Sequence, residues 1–201
     1  MHSQLVQIFC KLPEPGKVKT RLAECLGDRG AAELAGELAE RLICRVAPAF
    51  SSELWFTLED TMGFLARFPY LAQKAQAEGD LGERMRCALA DGMTRADNVI
   101  LVGSDCPLID AAYVADAFDR LEDHDIVLGP VEDGGYALIG VRHVLPPVFE
   151  NMTWSTDSVL SETCRRLNVA GINYALLPLT WDVDRPADLT RYDELLEQES
   201  P

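Results

Sequence analysis

The stretch NVILVGSDCPLIDAAYVADAFDRLE, residues 98–122, reads as a buried strand that runs through a loop into a helix. NVILVG (98–103) is the clearest buried strand of the chain, and DAAYVADAFDRLE (110–122) has the pattern of the helix that follows it. The same alternation continues outward in both directions. Upstream lie a short apolar run, LVQIFC (5–10), and a helix over 27–46. That helix places Ala32, Leu34, Ala35, Leu38, Ala39, Leu42 and Ile43 at helical spacing, with Asp28 available as its N-cap. ELWFTL (53–58) reads as a strand, residues 60–79 as irregular, and 80–96 as a helix. Downstream come DIVLGP (125–130), GGYALIG (134–140), a helix over 156–167, NYALLPL (173–179) and a closing helix over 185–198. Strand and helix alternate nearly throughout, which predicts an α/β fold with a largely parallel sheet. DIVLGP and GGYALIG are joined by too few residues for a parallel crossover, so one antiparallel strand is expected. No internal repeat is present.

The 201 residues, 48% of them hydrophobic, suffice for one sizeable core, so residues 1–201 read as a single domain. No stretch approaches the ~20 apolar residues of a membrane span. The opening MHSQLVQIFC lacks the basic start and apolar run of a signal peptide, which places the protein in the cytoplasm and removes meaning from the sequon at Asn151. Cys10, Cys25, Cys44, Cys87, Cys106 and Cys164 are scattered without a C-x-x-C pair, against zinc and against a disulfide framework. They read as reduced and mostly buried. With 33 acidic and 18 basic residues the net charge is −15, which disfavours nucleic acid as a partner. A small phosphorylated ligand is compatible with that charge where its site is locally positive. Nothing in the sequence specifies an oligomeric state.

Ligands of open α/β sheets bind beyond the carboxyl ends of the strands at a topological switch point, and four candidate loops stand out. CKLPEPGKVKTRL (10–22) gathers Lys11, Lys17, Lys19 and Arg21 in an otherwise acidic chain. It is not a P-loop, because Val18 follows Lys17 where Ser or Thr is required and the upstream glycine is missing. Pro13 and Pro15 stiffen it and Gly16 permits a sharp turn, as in a loop holding its cations toward an anion; a solvated charged loop is the alternative. In LVGSDCPLI (101–109) the strand delivers Asp105 to the rim of the sheet, where a divalent cation would compensate it; alternatively Asp105 caps the turn before Pro107. In WDVDRPADL (181–189) Asp182 and Asp184 face one side if the backbone is extended. Asp184 could instead cap the last helix, with Pro186 in its first turn and Asp188 supporting the start. In GPVEDGGYALIG (129–140) Gly134 and Gly135 after Asp133 are a turn signal, and would also let a ligand approach the backbone.

These loops are expected to converge on one edge of the sheet. Mg2+ or Mn2+ takes hard oxygen ligands, often only one or two protein carboxylates, and completes its shell with water and phosphate oxygens. Asp105 and Asp184 would suffice, leaving the loop from Lys11 to Arg21 to hold a diphosphate.

KLPEPGKVKTRL, GDLGERM (79–85), VGSDCPLI, LGPVEDGGYALIG, WST (154–156) and DVDRPADL together resemble, in order and across nearly the whole chain, the DUF2064 family. This is the glycosyltransferase A-like group of the nucleotide-diphospho-sugar transferases. The resemblance implies a GT-A-type fold, a Rossmann-like mixed and mostly parallel sheet flanked by helices, binding a nucleoside diphosphate with Mg2+ or Mn2+. It places Lys19 and Arg21 on the phosphate-binding loop that Lys11 opens, Asp105 on the metal-binding aspartate and Asp184 on the later acidic position of the metal site. KTRL and DVDRPADL also resemble sugar-phosphate nucleotidyltransferases and 2-phospholactate guanylyltransferase. The chain lacks their glycine-rich first loop, and SDC is not the full D-x-D of many glycosyltransferases. The activity implied is metal-assisted glycosyl transfer from a nucleotide sugar to a small-molecule acceptor. Asp133 is the candidate base and Trp154 a candidate sugar-stacking face. The alternatives are nucleotidyl transfer from a nucleoside triphosphate with release of pyrophosphate, and a nucleotide-binding protein without turnover. His2, His124 and His143 sit in no motif.

Overall fold

Strand β4 (Asn98–Gly103) lies in the middle of a seven-stranded sheet whose order is β3-β2-β1-β4-β6-β5-β7. The computed structural model describes residues 3–142 and 147–199. The other strands are β1 (Gln4–Lys11), β2 (Ser52–Thr57), β3 (Ala72–Ala75), β5 (Ile126–Pro130), β6 (Tyr136–Arg142) and β7 (Tyr174–Leu176). The helices are α1 (Ala23–Val46), α2 (Leu81–Met93), α3 (Ala111–Arg120), α4 (Val159–Ala170) and α5 (Pro186–Glu199). All neighbouring strands pair in parallel except β6, which is antiparallel to both β4 and β5. The mixed, mostly parallel α/β class and its one reversed strand therefore follow the expectation.

The apolar runs lack alternation because both faces of the sheet are covered. On one face Val6, Ile8, Ile100, Val102 and Val127 pack with Leu42 and Ile43 of α1 and Val114 and Phe118 of α3. On the other, Phe9, Val99, Leu101 and Leu128 meet Met85 and Leu89 of α2 and Leu167 of α4. Each such buried side chain contributes about 1.5–3 kcal/mol of transfer free energy. A third cluster joins α5 to α1: Trp181, Val183 and Tyr192 pack with Leu22, Ala31 and Leu38. This cluster ties the segment before α5 to the end of β4, where Val183 N donates to Asp105 O at 3.0 Å.

Several boundaries differ from the sequence reading. Helix α1 begins at Ala23, but Gly27 at φ +71° interrupts it, so the long regular part starts near Asp28 as expected. β3, with the sequence AQKA, is an edge strand paired only with β2, and its polar residues carry no apolar signal. NYALLPL keeps only three residues in β7, since Pro178 has no N–H to give a ladder. Asp80 and Asp110 accept from Glu83 N and Tyr113 N, each at 2.9 Å, and so start α2 and α3. The cysteines are not mostly buried: Cys10 and Cys106 are, Cys87 and Cys164 are half-buried, and Cys25 and Cys44 are exposed. His2 and His143 lie outside the described residues. No described helix is long and apolar enough to cross a membrane.

Candidate functional site

From β1 the chain winds outward through β2 and β3, then returns to lay β4 on the other side of β1, so the loops after β1 and β4 diverge at a switch point. Leu12, Val18 and Leu22 are buried and pin the loop after β1, while Gly16 turns it at φ +78°. Lys19 adopts φ +47°, a left-handed conformation that is uncommon for a long side chain. A bond from Leu22 N to Lys19 O at 2.8 Å closes that turn. The result is a lysine whose side chain is only 6% exposed and whose Nζ lies 2.7 Å from Asp105 Oδ1. Arg21 extends from the same loop to pair with Asp184. Lys17 instead pairs with Glu14 inside the loop, at 2.8 Å. Lys11 is exposed at the end of β1 and makes no ion pair among the described residues. Of the four cations, Lys19 and Arg21 thus reach across to the carboxylate loops, and Lys17 does not.

In the segment 181–184, buried Trp181 and Val183 alternate with half-buried Asp182 and Asp184. The two carboxylates share a face, as their spacing predicts. Helix capping falls to Asp188, whose Oδ2 accepts from Asp184 N at 3.0 Å and Arg185 N at 2.6 Å. The Asp184 carboxylate is thereby left for Arg21. Asp182 is the residue that the sequence reading passed over in favour of Asp184. Burial, then the charges of Asp133, Asp105 and Asp184, push its carboxyl up to about 6, with Lys19 opposing. Four carboxylates therefore share one electrostatic field at this edge. The signal was present in the chain, since Trp181 and Val183 alternate with the two aspartates. Beneath the site, burial and Asp105 push the Cys10 thiol up to about 12, and burial followed by Asp105 also raises Cys106. Both are inert core thiols.

Asp133 Oδ1 accepts from Gly135 N at 2.8 Å, an Asx-type turn. Gly134 sits at φ +87°, and a Cβ there would lie 2.1 Å from Asp157 O. Gly134 is thus required by a close approach of the chain's own backbone, where the sequence left room for a ligand. Trp154 is likewise a packing residue: it joins the core over α2 and lies against Gly82, whose added Cβ would meet its Cζ2 at 2.7 Å.

Among the described residues no group of three or more His, Cys, Asp or Glu side chains is placed to hold an ion by itself. The donor set fits a hard divalent cation that shares its shell with a phosphate ligand, because it offers carboxylate oxygens alone. A surface cavity of about 240 Å³ lined by Pro13, Gly36, Glu37 and Phe64 shares none of these carboxylates.

The profile of the family described as "Uncharacterized protein conserved in bacteria (DUF2064)" matches residues 35–156. A solved structure from Desulfovibrio desulfuricans G20, whose assignment as a nucleotide-diphospho-sugar transferase is itself provisional, is 33% identical. The match covers 92% of this chain and 84% of that one, with a TM-score of 0.84. The phosphoenolpyruvate guanylyltransferase of Chloroflexus aggregans is 30% identical over 122 residues, 56% of this chain and 59% of the relative. The molybdenum cofactor guanylyltransferase of Shewanella sp. strain ANA-3 is 29% identical over 127 residues, 63% and 64% of the two chains. The chain thus spans less than two thirds of the length of these curated relatives.

Proposed function

Because the chain belongs to the DUF2064 family, we propose that it is a metal-dependent transferase acting on a nucleotide-activated donor, and that its reaction is glycosyl transfer from a nucleoside-diphosphate sugar. The observation that carries this reading is the Lys19–Asp105 pair, 2.7 Å apart at the switch point between β1 and β4. Lys19 and Arg21, with Lys11 at the start of their loop, hold the donor diphosphate. Asp105 and Asp184 are the residues that would hold Mg2+ or Mn2+, which when bound supplies positive charge to the leaving diphosphate. As the anomeric bond breaks, negative charge grows on that leaving group, and the Lys19 ammonium and Arg21 guanidinium stabilise it where it develops. Asp133, fixed by its turn to Gly135, takes the proton of the acceptor hydroxyl. The nucleotide-sugar assignment of the Desulfovibrio protein supports this choice of donor.

A second reading, nucleotidyl transfer, is favoured by the two guanylyltransferase relatives. Lys19 and Arg21 would then steady a departing pyrophosphate. Phosphorus NMR of the protein incubated with Mn2+ and either nucleotide sugars or nucleoside triphosphates separates the two. The glycosyl reading expects a nucleoside diphosphate and no pyrophosphate. Pyrophosphate from a triphosphate would replace it with the second reading, and binding without any product would leave a nucleotide-binding protein.

A further inference from the structure

The two cations assigned to the diphosphate are already bound to the two carboxylates assigned to the metal: Lys19 to Asp105, and Arg21 to Asp184. Around Asp182 stand Asp105, Asp133, Asp184 and Lys19, all within reach of its charge. Counting Arg21 on Asp184, four carboxylates face two cations, so these six groups sum to two negative charges. Resting on the function proposed above, we propose that Lys19 and Arg21 are built-in countercations, so that the site takes a metal–diphosphate complex and binds neither component well alone.

The argument is one of stranded charges. A divalent cation that takes Asp105 by itself either displaces the Lys19 ammonium from Oδ1 or binds beside it and meets its positive charge. The Lys19 side chain is 6% exposed and has Asp105 as its partner, so displacement leaves its charge largely buried and uncompensated. A diphosphate that takes Lys19 and Arg21 by itself leaves Asp105 and Asp184 unpaired beside its own negative charge, with Asp182 and Asp133 adding to the repulsion. When both arrive, each completes what the other strands: the carboxylates turn to the metal and the cations to the phosphate oxygens. The loop is built to hold the paired state, since Val18 and Leu22 are buried on either side of a Lys19 fixed in the left-handed region. The two pairs differ in strength. Arg21 is 62% exposed and its pair is screened by water, so Lys19 carries most of the coupling.

The test uses Mn2+, followed by its electron paramagnetic resonance, and inorganic pyrophosphate, followed by calorimetry. Each is titrated alone and in the presence of the other, with correction for their association in solution. In the wild type each ligand should tighten the other about 10-fold or more, within the usual range of coupling between sites. Lys19→Met should bind Mn2+ alone several-fold more tightly, bind pyrophosphate alone more weakly, and lose most of the coupling. Arg21→Gln, at an exposed position that cannot disturb the core, should move all three quantities the same way by less. Unchanged or weaker binding of Mn2+ alone in both variants, or undiminished coupling, would overturn the inference while leaving the proposed function in place. Absence of joint Mn2+ and pyrophosphate binding in the wild type would overturn both.

Discussion

Gly134→Ala tests the packing that fixes the Asp133 turn, and its effect can be worked from the structure. Gly134 sits at φ +87°, where an L side chain is disfavoured by about 1–2 kcal/mol. Its new Cβ would fall 2.1 Å from Asp157 O and 2.6 Å from Asp157 C. These are backbone atoms that no rotamer change can remove, so overpacking adds about 1–3 kcal/mol. The total expected loss is about 2–5 kcal/mol, a large share of the stability of a domain. Gly171→Ala is the matched control: it caps α4 at φ +66° with nothing within 4 Å of an added Cβ. It should cost about 1 kcal/mol from the backbone alone. Urea unfolding of both variants and the wild type gives the comparison, and the steric part is the difference, about 1–3 kcal/mol. Equal losses in the two variants would refute the claim that Asp157 is what requires glycine at 134.

Four further outcomes are expected. Asp105→Asn should abolish the enhancement of nucleoside diphosphate binding by Mn2+ and should also lower the melting temperature in chelator, because the Lys19 side chain, only 6% exposed, loses its carboxylate partner. Asp182→Asn should stabilise the protein in chelator. The folded carboxyl titrates at about 6, above its ordinary 3.8, so the native state is penalised as pH rises through that window. The gain should be about 1–2 kcal/mol at neutral pH and vanish below about pH 4 in urea melts across that range. Arg95→Met should cost about 2 kcal/mol in the same assay, because Glu53 is buried and keeps only Lys74, at 3.5 Å, and the Trp55 indole N–H; a loss below about 0.5 kcal/mol would contradict this. In a thiol-labelling experiment Cys25 and Cys44 should react fast, whereas Cys10 and Cys106 should react only on unfolding, which mass spectrometry of the labelled peptides reads directly.

Local pattern was enough to determine the class of the fold. The alternation of apolar runs with helical spacing and the short link between DIVLGP and GGYALIG act within a few residues, so they are written in the chain itself. The sequence also marked the four loops by their residue types, and the Asp182–Asp184 alternation by its spacing. It could not state which cation meets which carboxylate. Lys19 and Asp105 are joined by the switch in strand order, and Arg21 reaches Asp184 because α5 packs on α1 through Trp181, Val183 and Tyr192. Edge strand β3 escaped for a related reason: its AQKA is ordered by backbone pairing to β2, which the polar side chains do not signal. Gly134 sits in the turn that the sequence marks, but its close contact was not legible, because the Asp157 backbone that excludes a side chain there arrives from a segment more than a strand away. Apolar patterns state how much surface an element must bury but not against which partner, and only the packed chain makes that choice.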